Sequence, residues 1–257
     1  MVKGLSIKVA SYDETIPKVL SLIKLDNYLK NHHNIVIKPF LSSDAAKSTS
    51  VSVIEPVVRY CLQHKNPGAE VFIAEGSDGV DTLNLFEEQG YNRLAERQGI
   101  GLIDLNKAES SSIGDNDFVG FENIMYPTIL KDSFVISLTP LKTDEKTGFT
   151  GSVSNMLGAF PGKHYSGFFS SRKNKLDDYP TKYQIHDIFL SKKPNMALID
   201  ASDHGLILAG QSLEMDKHAA KLLGMDWKNI GYLRMLDETL TIAAQREASL
   251  EAAKKKE

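Results

Sequence analysis

The sequence predicts an α/β fold, a mostly parallel sheet flanked by helices on both faces. Short apolar runs rich in Val and Ile recur along the chain, and segments with the apolar spacing of helices separate them. Strands buried on both faces form continuous apolar runs of this kind, and crossover helices join parallel neighbours. The alternation of the two patterns therefore predicts the fold class.

Six apolar runs are predicted strands, near residues 5–10, 34–39, 70–75, 101–105, 133–138 and 195–200. After the second run, apolar residues from Val53 to Leu62 recur at helical spacing, which predicts an amphipathic helix that buries Cys61. Further helices are expected from Val153 to Gly158 and over residues 210–224. Residues 105–120 are rich in Ser, Gly, Asn and Asp, which predicts a surface loop.

The predicted organisation is a single domain over residues 1–240, followed by a polar helical tail over residues 241–257. A chain of 257 residues is long enough to bury one large core. The tail is rich in Ala, Glu and Lys, which favour helices, but it has few large apolar residues. We expect it to fray or to form a contact with a second copy in a homo-oligomer.

Charge and cysteine content exclude several classes of protein. The formal net charge of −3 offers no broad basic surface, so we expect no nucleic-acid partner. A single cysteine cannot form an intrachain disulfide or a Cys-ligated iron–sulfur cluster. The alternating N-terminus and the lack of a long apolar stretch predict a cytoplasmic protein that does not span a membrane.

Polar turns follow several predicted strands, and ligands of open α/β sheets bind beyond the carboxyl ends of the strands. The candidate ligand-binding residues are Lys38, Glu75, Ser77, Thr143, Thr150, Asn155 and His164, and the candidate catalytic residues are Lys142, Asp200 and Asp203. Ordinary structural roles compete with this interpretation. Asp78 or Asp81 suits a helix cap, a mobile loop would explain residues 142–151, and Asp203 with Gly205 suits a hairpin turn.

The residue types at these turns favour two kinds of chemistry. Lys142, with the threonines on either side of its loop, suits an anionic group at the start of a helix. Glu75, Asp200 and Asp203 are oxygen ligands that suit a divalent metal, and a buried carboxylate also suits proton transfer. The glycine spacing after Glu75 matches neither a P-loop nor a dinucleotide fingerprint.

The order of several short motifs resembles the DUF362 family, a domain of unknown function, from about residue 30 to residue 235. The motifs are Ile37-Lys38-Pro39; Ala74-Glu75-Gly76-Ser77 with Thr82, Phe86 and Gly90-Tyr91; Ile136-Ser137-Leu138 with Leu141-Lys142-Thr143; Thr150, Asn155-Met156-Leu157-Gly158 and Pro161-Gly162; and Ile199-Asp200-Ala201 with Asp216 before Leu222-Leu223-Gly224. Each motif is short, and the ordered succession carries the resemblance.

The chain departs from this family at three positions. Members commonly have Asn after the Lys-Pro pair, His after Lys-Thr and Lys before the later Asn, where this sequence has Phe40, Asp144 and Ser154. Many relatives also carry a ferredoxin-like cluster module, which one cysteine cannot supply. The resemblance therefore implies that any electron transfer would need a separate ferredoxin as partner.

Three functional hypotheses follow. In the first, the strand-end residues form one cleft in which an enzyme acts on a small anionic metabolite, by an acid/base or redox step or with a divalent metal. In the second, the three departures record a lost activity and leave a ligand-binding or regulatory module. In the third, the chain is a scaffold or redox-partner subunit that associates through its helical tail.

Overall fold

The computed structural model describes residues 4–254, with side chains as far as residue 250. The strands are β1 Gly4–Lys8, β2 Asn34–Lys38, β3 Glu70–Glu75, β4 Gly101–Asp104, β5 Ser110–Ile113, β6 Ile124–Pro127, β7 Phe134–Pro140, β8 Thr143–Asp144, β9 Gly148–Phe149, β10 Met196–Ala201 and β11 Leu206–Gly210. The helices are α1 Tyr12–Leu22, α2 Asp26–Leu29, α3 Val51–His64, α4 Thr82–Glu88, α5 Tyr91–Gln98, α6 Thr128–Lys131, α7 Gly162–Tyr165, α8 Thr181–Ser191, α9 Ser212–Leu222 and α10 Gly231–Lys254. Each of the six predicted strands is present.

Seven strands form the main sheet in the order β1-β11-β10-β7-β2-β3-β4. The five strands from β10 to β4 are parallel, whereas β11 pairs antiparallel with both β1 and β10. The predicted α/β fold with a mostly parallel sheet is therefore confirmed. The carboxyl ends of the five parallel strands share one edge.

The sheet separates two hydrophobic cores because consecutive strand residues point to opposite faces. In β2, Ile35 and Ile37 pack with α1 and α3 on one face, and Val36 packs with α8 and α9 on the other. Helices therefore cover both faces, as the apolar strands predict. We call the first face the α3 face and the second the α8 face.

The strand order reverses direction between β2 and β7. After β2 the chain crosses the α3 face to β3, and after β7 it crosses the α8 face to β10 on the other side. Chains that leave two adjacent parallel strands in opposite directions open a crevice beyond the carboxyl ends, where ligands of open α/β sheets bind. This topological switch point lies between Lys38 and Ser137, which are paired in register.

One local prediction is wrong, and a second is confirmed with a tighter helix type. Residues 105–120 are not wholly a loop, because Ser110–Ile113 pairs antiparallel with Ile124–Pro127 in a small second sheet. The predicted helix from Val153 is a 3₁₀-helix, Ser154–Ala159. The polar composition of residues 105–120 is typical of a loop, but backbone pairing between β5 and β6 decided the conformation of residues 110–113.

The C-terminal helix α10 crosses the predicted domain boundary at residue 240 without a break. Tyr232, Leu233 and Leu236 pack into the core, whereas residues from 244 to 250 are exposed. Arg246 pairs with Asp117 at 3.0 Å and ties the exposed part to the body. Within residues 4–254, every helix is too short or too polar to cross a membrane.

Candidate functional site

Asn155 occupies the crevice between β2 and β7. Its amide nitrogen donates to the Lys38 carbonyl at 3.0 Å and to the Ser137 hydroxyl at 2.9 Å, so one side chain bridges both strands. Its amide oxygen accepts from Lys38 Nζ at 3.1 Å. The amide nitrogen and the amide oxygen of Asn155 are therefore both bonded to residues at the switch point.

Lys38 and Glu75 form a closed ion pair beside Asn155. Lys38 Nζ lies 2.8 Å from Glu75 Oε2, and the two side chains are 0% and 4% exposed. Glu75 Oε1 also accepts from the Gly76 amide at 2.7 Å. Burial lowers the pKa of Lys38, and the Glu75 carboxylate opposes that effect. Such a pair tolerates the loss of water because each charge keeps a hydrogen-bonded partner.

Residues 149–159, here called the cover segment, pass over this pair. At Gly158 a Cβ atom would lie 2.6 Å from Lys38 Nζ and closer still to Glu75 Oε1. Thr150 fixes the start of the segment, because its hydroxyl accepts from the Lys142 amide at 3.0 Å and donates to the Pro140 carbonyl. Only a residue without a side chain fits at Gly158, so the cover segment seals the pair.

Lys173 is a second buried lysine at this site, and its residue is 5% exposed. Its Nζ donates to the Gly76 carbonyl at 2.6 Å and to the Gly158 carbonyl at 3.5 Å. Burial lowers the pKa of Lys173 to about 8; Glu75 opposes this shift and Lys38 adds to it. The site therefore holds two lysine amines around one buried carboxylate.

Three buried hydroxyls border the same edge. Within the part of the chain that the structure describes, Ser77 Oγ, Thr139 Oγ1 and Ser152 Oγ have no hydrogen-bond partner. Buried polar groups are normally paired, since an unpaired one costs about 1–3 kcal/mol. Ser77 follows β3, Thr139 lies near the end of β7, and Ser152 belongs to the cover segment. These hydroxyls retain unused capacity for a ligand.

The candidate catalytic residues lie in a second group at the same edge. Lys142 Nζ pairs with Asp203 Oδ2 at 2.5 Å, and the side chains are 36% and 66% exposed. Asp200 accepts from the Tyr12 hydroxyl at 3.0 Å and from the Ser202 amide at 3.1 Å. Consecutive strand residues point to opposite faces of the sheet. Ile199 points to the α8 face, so Asp200 points to the α3 face, where α1 lies; Ile37 points to the α3 face, so Lys38 points to the α8 face.

The structure therefore brings Lys38, Glu75 and Asn155 into contact and places Lys142, Asp200 and Asp203 apart from them. No hydrogen bond or ion pair among the described side chains joins the two groups. One cleft lined by both groups stays a prediction. The expected hairpin turn is present, because Ser202–His204 and Gly205, at φ 72°, join β10 to β11.

The remaining predicted ligand-binding residues lie outside direct contact with Lys38. Thr143 is exposed in the β8–β9 hairpin. His164 lies in α7, its Nε2 is buried, and burial lowers the pKa of its imidazole. Ser77 is nearest to the site, because it follows the Gly76 carbonyl that binds Lys173.

The three carboxylates predicted as metal ligands are separated. Glu75 bonds Lys38, Asp200 bonds Tyr12, and Asp203 bonds Lys142. Over residues 4–250, His, Cys, Asp and Glu form no group of three that could hold a metal ion. The grouping of these carboxylates in one metal site stays a prediction, because each of the three is bonded to a different partner in this structure.

The three positions that depart from the family pattern make local structural contacts. Asp144 Oδ1 accepts from the Lys146 amide at 3.0 Å and the Thr147 amide at 2.8 Å, which closes the hairpin turn. Ser154 Oγ accepts from the Gly151 amide at 3.0 Å inside the cover segment. Phe40 donates its amide to Thr49 Oγ1 at 3.0 Å. These contacts shape the backbone around the crevice.

Sequence reasoning missed Lys173 and Ser137 as site residues. Lys173 lies in a polar stretch, Ser170 to Lys175, that resembles an exposed loop. Ser137 is a lone hydroxyl in an apolar strand, and its position on the α8 face follows from strand alternation. Only Ser137 therefore carried a usable signal, a polar side chain in a strand buried on both faces.

The family model of DUF362, a domain of unknown function, matches residues 35–211, more than half of the chain. A crystal structure of a Thermotoga maritima protein from a structural genomics consortium is similar at 14% identity and a TM-score of 0.46, covering 83% of this chain. This chain spans 59% of that protein's length. No curated protein matches. The match spans both sides of the switch point and every residue of the buried cluster, so the chain belongs to the DUF362 family.

Proposed function

We propose that this protein binds a small anionic metabolite in the crevice between β2 and β7 and acts on it as an enzyme. The observation that carries the proposal is that two buried lysines lie beside the topological switch point: Lys38 is paired with Glu75, whereas Lys173 Nζ bonds two backbone carbonyls and, among the described residues, no carboxylate. A surplus of buried positive charge is costly, and a bound anion would offset that cost.

The orphaned hydroxyls support the same ligand. Ser77, Thr139 and Ser152 are each at most 5% exposed, and hydroxyls donate readily to carboxylate or phosphate oxygens. With the two ammonium groups they would supply the donors that an anion needs. A carboxylate or a phosphate therefore fits the chemistry of this edge.

Lys173 is the residue we assign to proton transfer. A lysine with a pKa of about 8 exchanges a proton near neutral pH, as a general base or acid requires. Its Nζ is held by two backbone carbonyls, so its position is fixed while its charge changes. A metal-assisted or redox step and a separate ferredoxin partner stay predictions.

Calorimetric titration with inorganic phosphate and with a short dicarboxylate tests the binding. We expect Lys173→Met to weaken the binding of at least one of these anions by ten-fold or more, about 1.4 kcal/mol. The matched control is Lys175→Met, which removes an exposed lysine two residues from Lys173 whose Nζ bonds the His164 carbonyl, and it should change affinity less than about two-fold.

Equal losses in both variants, or no binding of either anion to the wild type, would contradict the proposal. Native mass spectrometry of freshly purified protein would then show whether a different ligand occupies the crevice. Binding without turnover of any anionic metabolite tested would favour the alternative, a ligand-binding or regulatory module.

A further inference from the structure

An anion can reach the Lys38 site only if the cover segment moves. Lys38 is 0% exposed, and Gly158 is packed directly against the Lys38 and Glu75 side chains. Asn155, in the middle of the cover segment, is bonded to both strands of the crevice. Whatever holds residues 149–159 in place therefore controls access to the site.

Asp216 on α9 is the side chain that holds this segment from the α8 face. Its carboxylate accepts from the Ser152 amide at 2.8 Å and from the Val153 amide at 2.9 Å. At Gly151 a Cβ atom would lie 2.8 Å from Asp216 Cγ, so the backbone passes close to the carboxyl group. Asp216 is 0% exposed and, among the described residues, has no ion-pair partner.

We propose that Asp216 is a positioning residue for the crevice, whose neutral form keeps the cover segment closed and whose ionised form lets it open. The inference rests on the proposed function for its purpose, since opening admits the anion. Its physical basis is independent of any ligand, because it concerns a buried carboxyl group and the two amides it binds.

The direction of the pH effect follows from the coupling between proton binding at Asp216 and opening of the cover segment. Burial raises the pKa of Asp216 to about 7, and the amides of Val153 and Ser152 partly oppose that shift. Opening the segment lets water reach the carboxylate, which returns its pKa toward the ordinary value of 3.8. A proton is therefore bound more tightly in the closed state, so protonation favours closing and a rise in pH favours opening.

Few other groups that titrate face Asp216. The cover segment and β11 have no ionisable side chain, and Asp200 of β10, which also packs on α9, bonds Tyr12 on the α3 face. Lys228, in the turn Trp227–Asn229 beside α9, lies over the Trp227 ring. His218 lies two residues after Asp216 on α9 and therefore points to the opposite side of that helix. From α10, Tyr232 approaches, but burial raises the pKa of its phenol well above the ordinary value. Lys217, next on α9, is paired with Glu214 and Asp237. The pH response between about 5 and 7 is therefore assigned to Asp216.

Asp187 on α8 provides an internal control. It is also 0% exposed, and it holds a distant segment through the amides of Val119, Gly120 and Phe121. Burial raises its pKa, but the hydrogen bond from His186 and the three amides outweigh burial, so the pKa is lowered. Asp187 therefore stays ionised where Asp216 titrates.

Hydrogen exchange measured by mass spectrometry on the whole protein tests the inference without any ligand. Exchange rates of peptides within 149–159 and 117–123 are divided by their intrinsic rates at each pH. We expect opening of the first region to increase up to roughly 100-fold between about pH 5 and pH 7, and the second to change little. Asp216→Asn should abolish that pH dependence, whatever its absolute protection.

The inference is overturned if the two regions respond alike in the wild type, or if Asp216→Asn keeps the response. Should the variant fail to fold, the comparison of the two regions in the wild type still decides. A pH response without phosphate or dicarboxylate binding would refute the proposed function and leave this inference standing. Binding of either anion without the pH response would refute this inference and leave the proposed function standing.

Discussion

Two lysine–carboxylate pairs lie at the same edge of the sheet, and they differ almost completely in burial. The side chains of Lys38 and Glu75 are 0% and 4% exposed, whereas those of Lys142 and Asp203 are 36% and 66% exposed. The first pair is locked by Asn155 and Gly158, and the second lies in solvent between a hairpin and a turn. Similar residue types thus carry very different energies, which depend on what covers them.

The largest expected effect is on the buried pair. Lys38→Met leaves the Glu75 carboxylate buried without its cation, which costs about 3–5 kcal/mol of unfolding free energy. Urea denaturation measures it. The double variant Lys38→Met with Glu75→Leu should recover much of the loss, because no charge is then left unpaired. A loss below about 1 kcal/mol in the single variant would show that the pair behaves like a surface one.

The second-largest effect on stability is expected in the cover segment. Gly158→Ala places a methyl group 2.6 Å from Lys38 Nζ, so the cover segment must shift, and overpacking of this kind costs about 1–3 kcal/mol. Gly68→Ala is the matched control, since nothing lies within 4 Å of a Cβ atom there. Thermal unfolding of both variants compares them, and equal melting temperatures would contradict the tight contact.

The third effect depends on pH and separates Lys173 from the exposed lysine. The pKa of Lys173 is about 8 in the folded protein and 10.5 ordinarily, so the unfolded chain binds a proton that the folded one has released. Stability contributed by this group therefore rises with pH from about 8 to about 10.5. Relative to Lys173→Met, the wild type should gain up to about 2 kcal/mol between about pH 7.5 and pH 9.5.

Urea denaturation of the wild type and of Lys173→Met at both pH values measures the difference in unfolding free energy between the two proteins. Lys142→Met supplies the contrast, because an exposed lysine should give a constant difference from the wild type. A flat difference for Lys173→Met would mean that this amine keeps its proton when buried.

The smallest effect is expected at the exposed pair. Asp203→Asn removes the partner of Lys142, and surface pairs contribute about 0–1 kcal/mol. The change should shrink further in added salt, which screens exposed charges. Denaturation at low and high ionic strength checks this, and a salt-insensitive loss above about 2 kcal/mol would remove the contrast between the two pairs.

The positions of the strands and their burial on both faces could be predicted because apolar periodicity is a local property of the chain. The run from Phe134 to Leu138 and the helix that buries Cys61 are both where the pattern places them. The Asp81 cap is also local, since its side chain accepts from the Leu83 amide at 2.9 Å and the Asn84 amide at 3.1 Å. The alternative of an ordinary helix cap is confirmed there.

The membership of the buried cluster could be predicted only in part. Lys38, Glu75 and Asn155 were identified because they follow strands or belong to family motifs, and the shared carboxyl edge of a parallel sheet brings strand ends together. Lys173 was not predicted as a site residue because no local pattern indicates that a lysine in a polar stretch is buried. Asp216 belongs to a family motif, but its role was not predicted, because it lies beyond the first turn of α9 and binds two distant amides.

The sequence by itself determined the fold class, the family and which polar residues stand at strand ends, because each of these follows from patterns of neighbouring residues. The tertiary structure alone decided which of those residues meet, which lie on opposite faces and which are sealed from water. The physical reason is that contact and burial depend on segments far apart in the chain, such as Lys38 with Asn155 and Ser152 with Asp216.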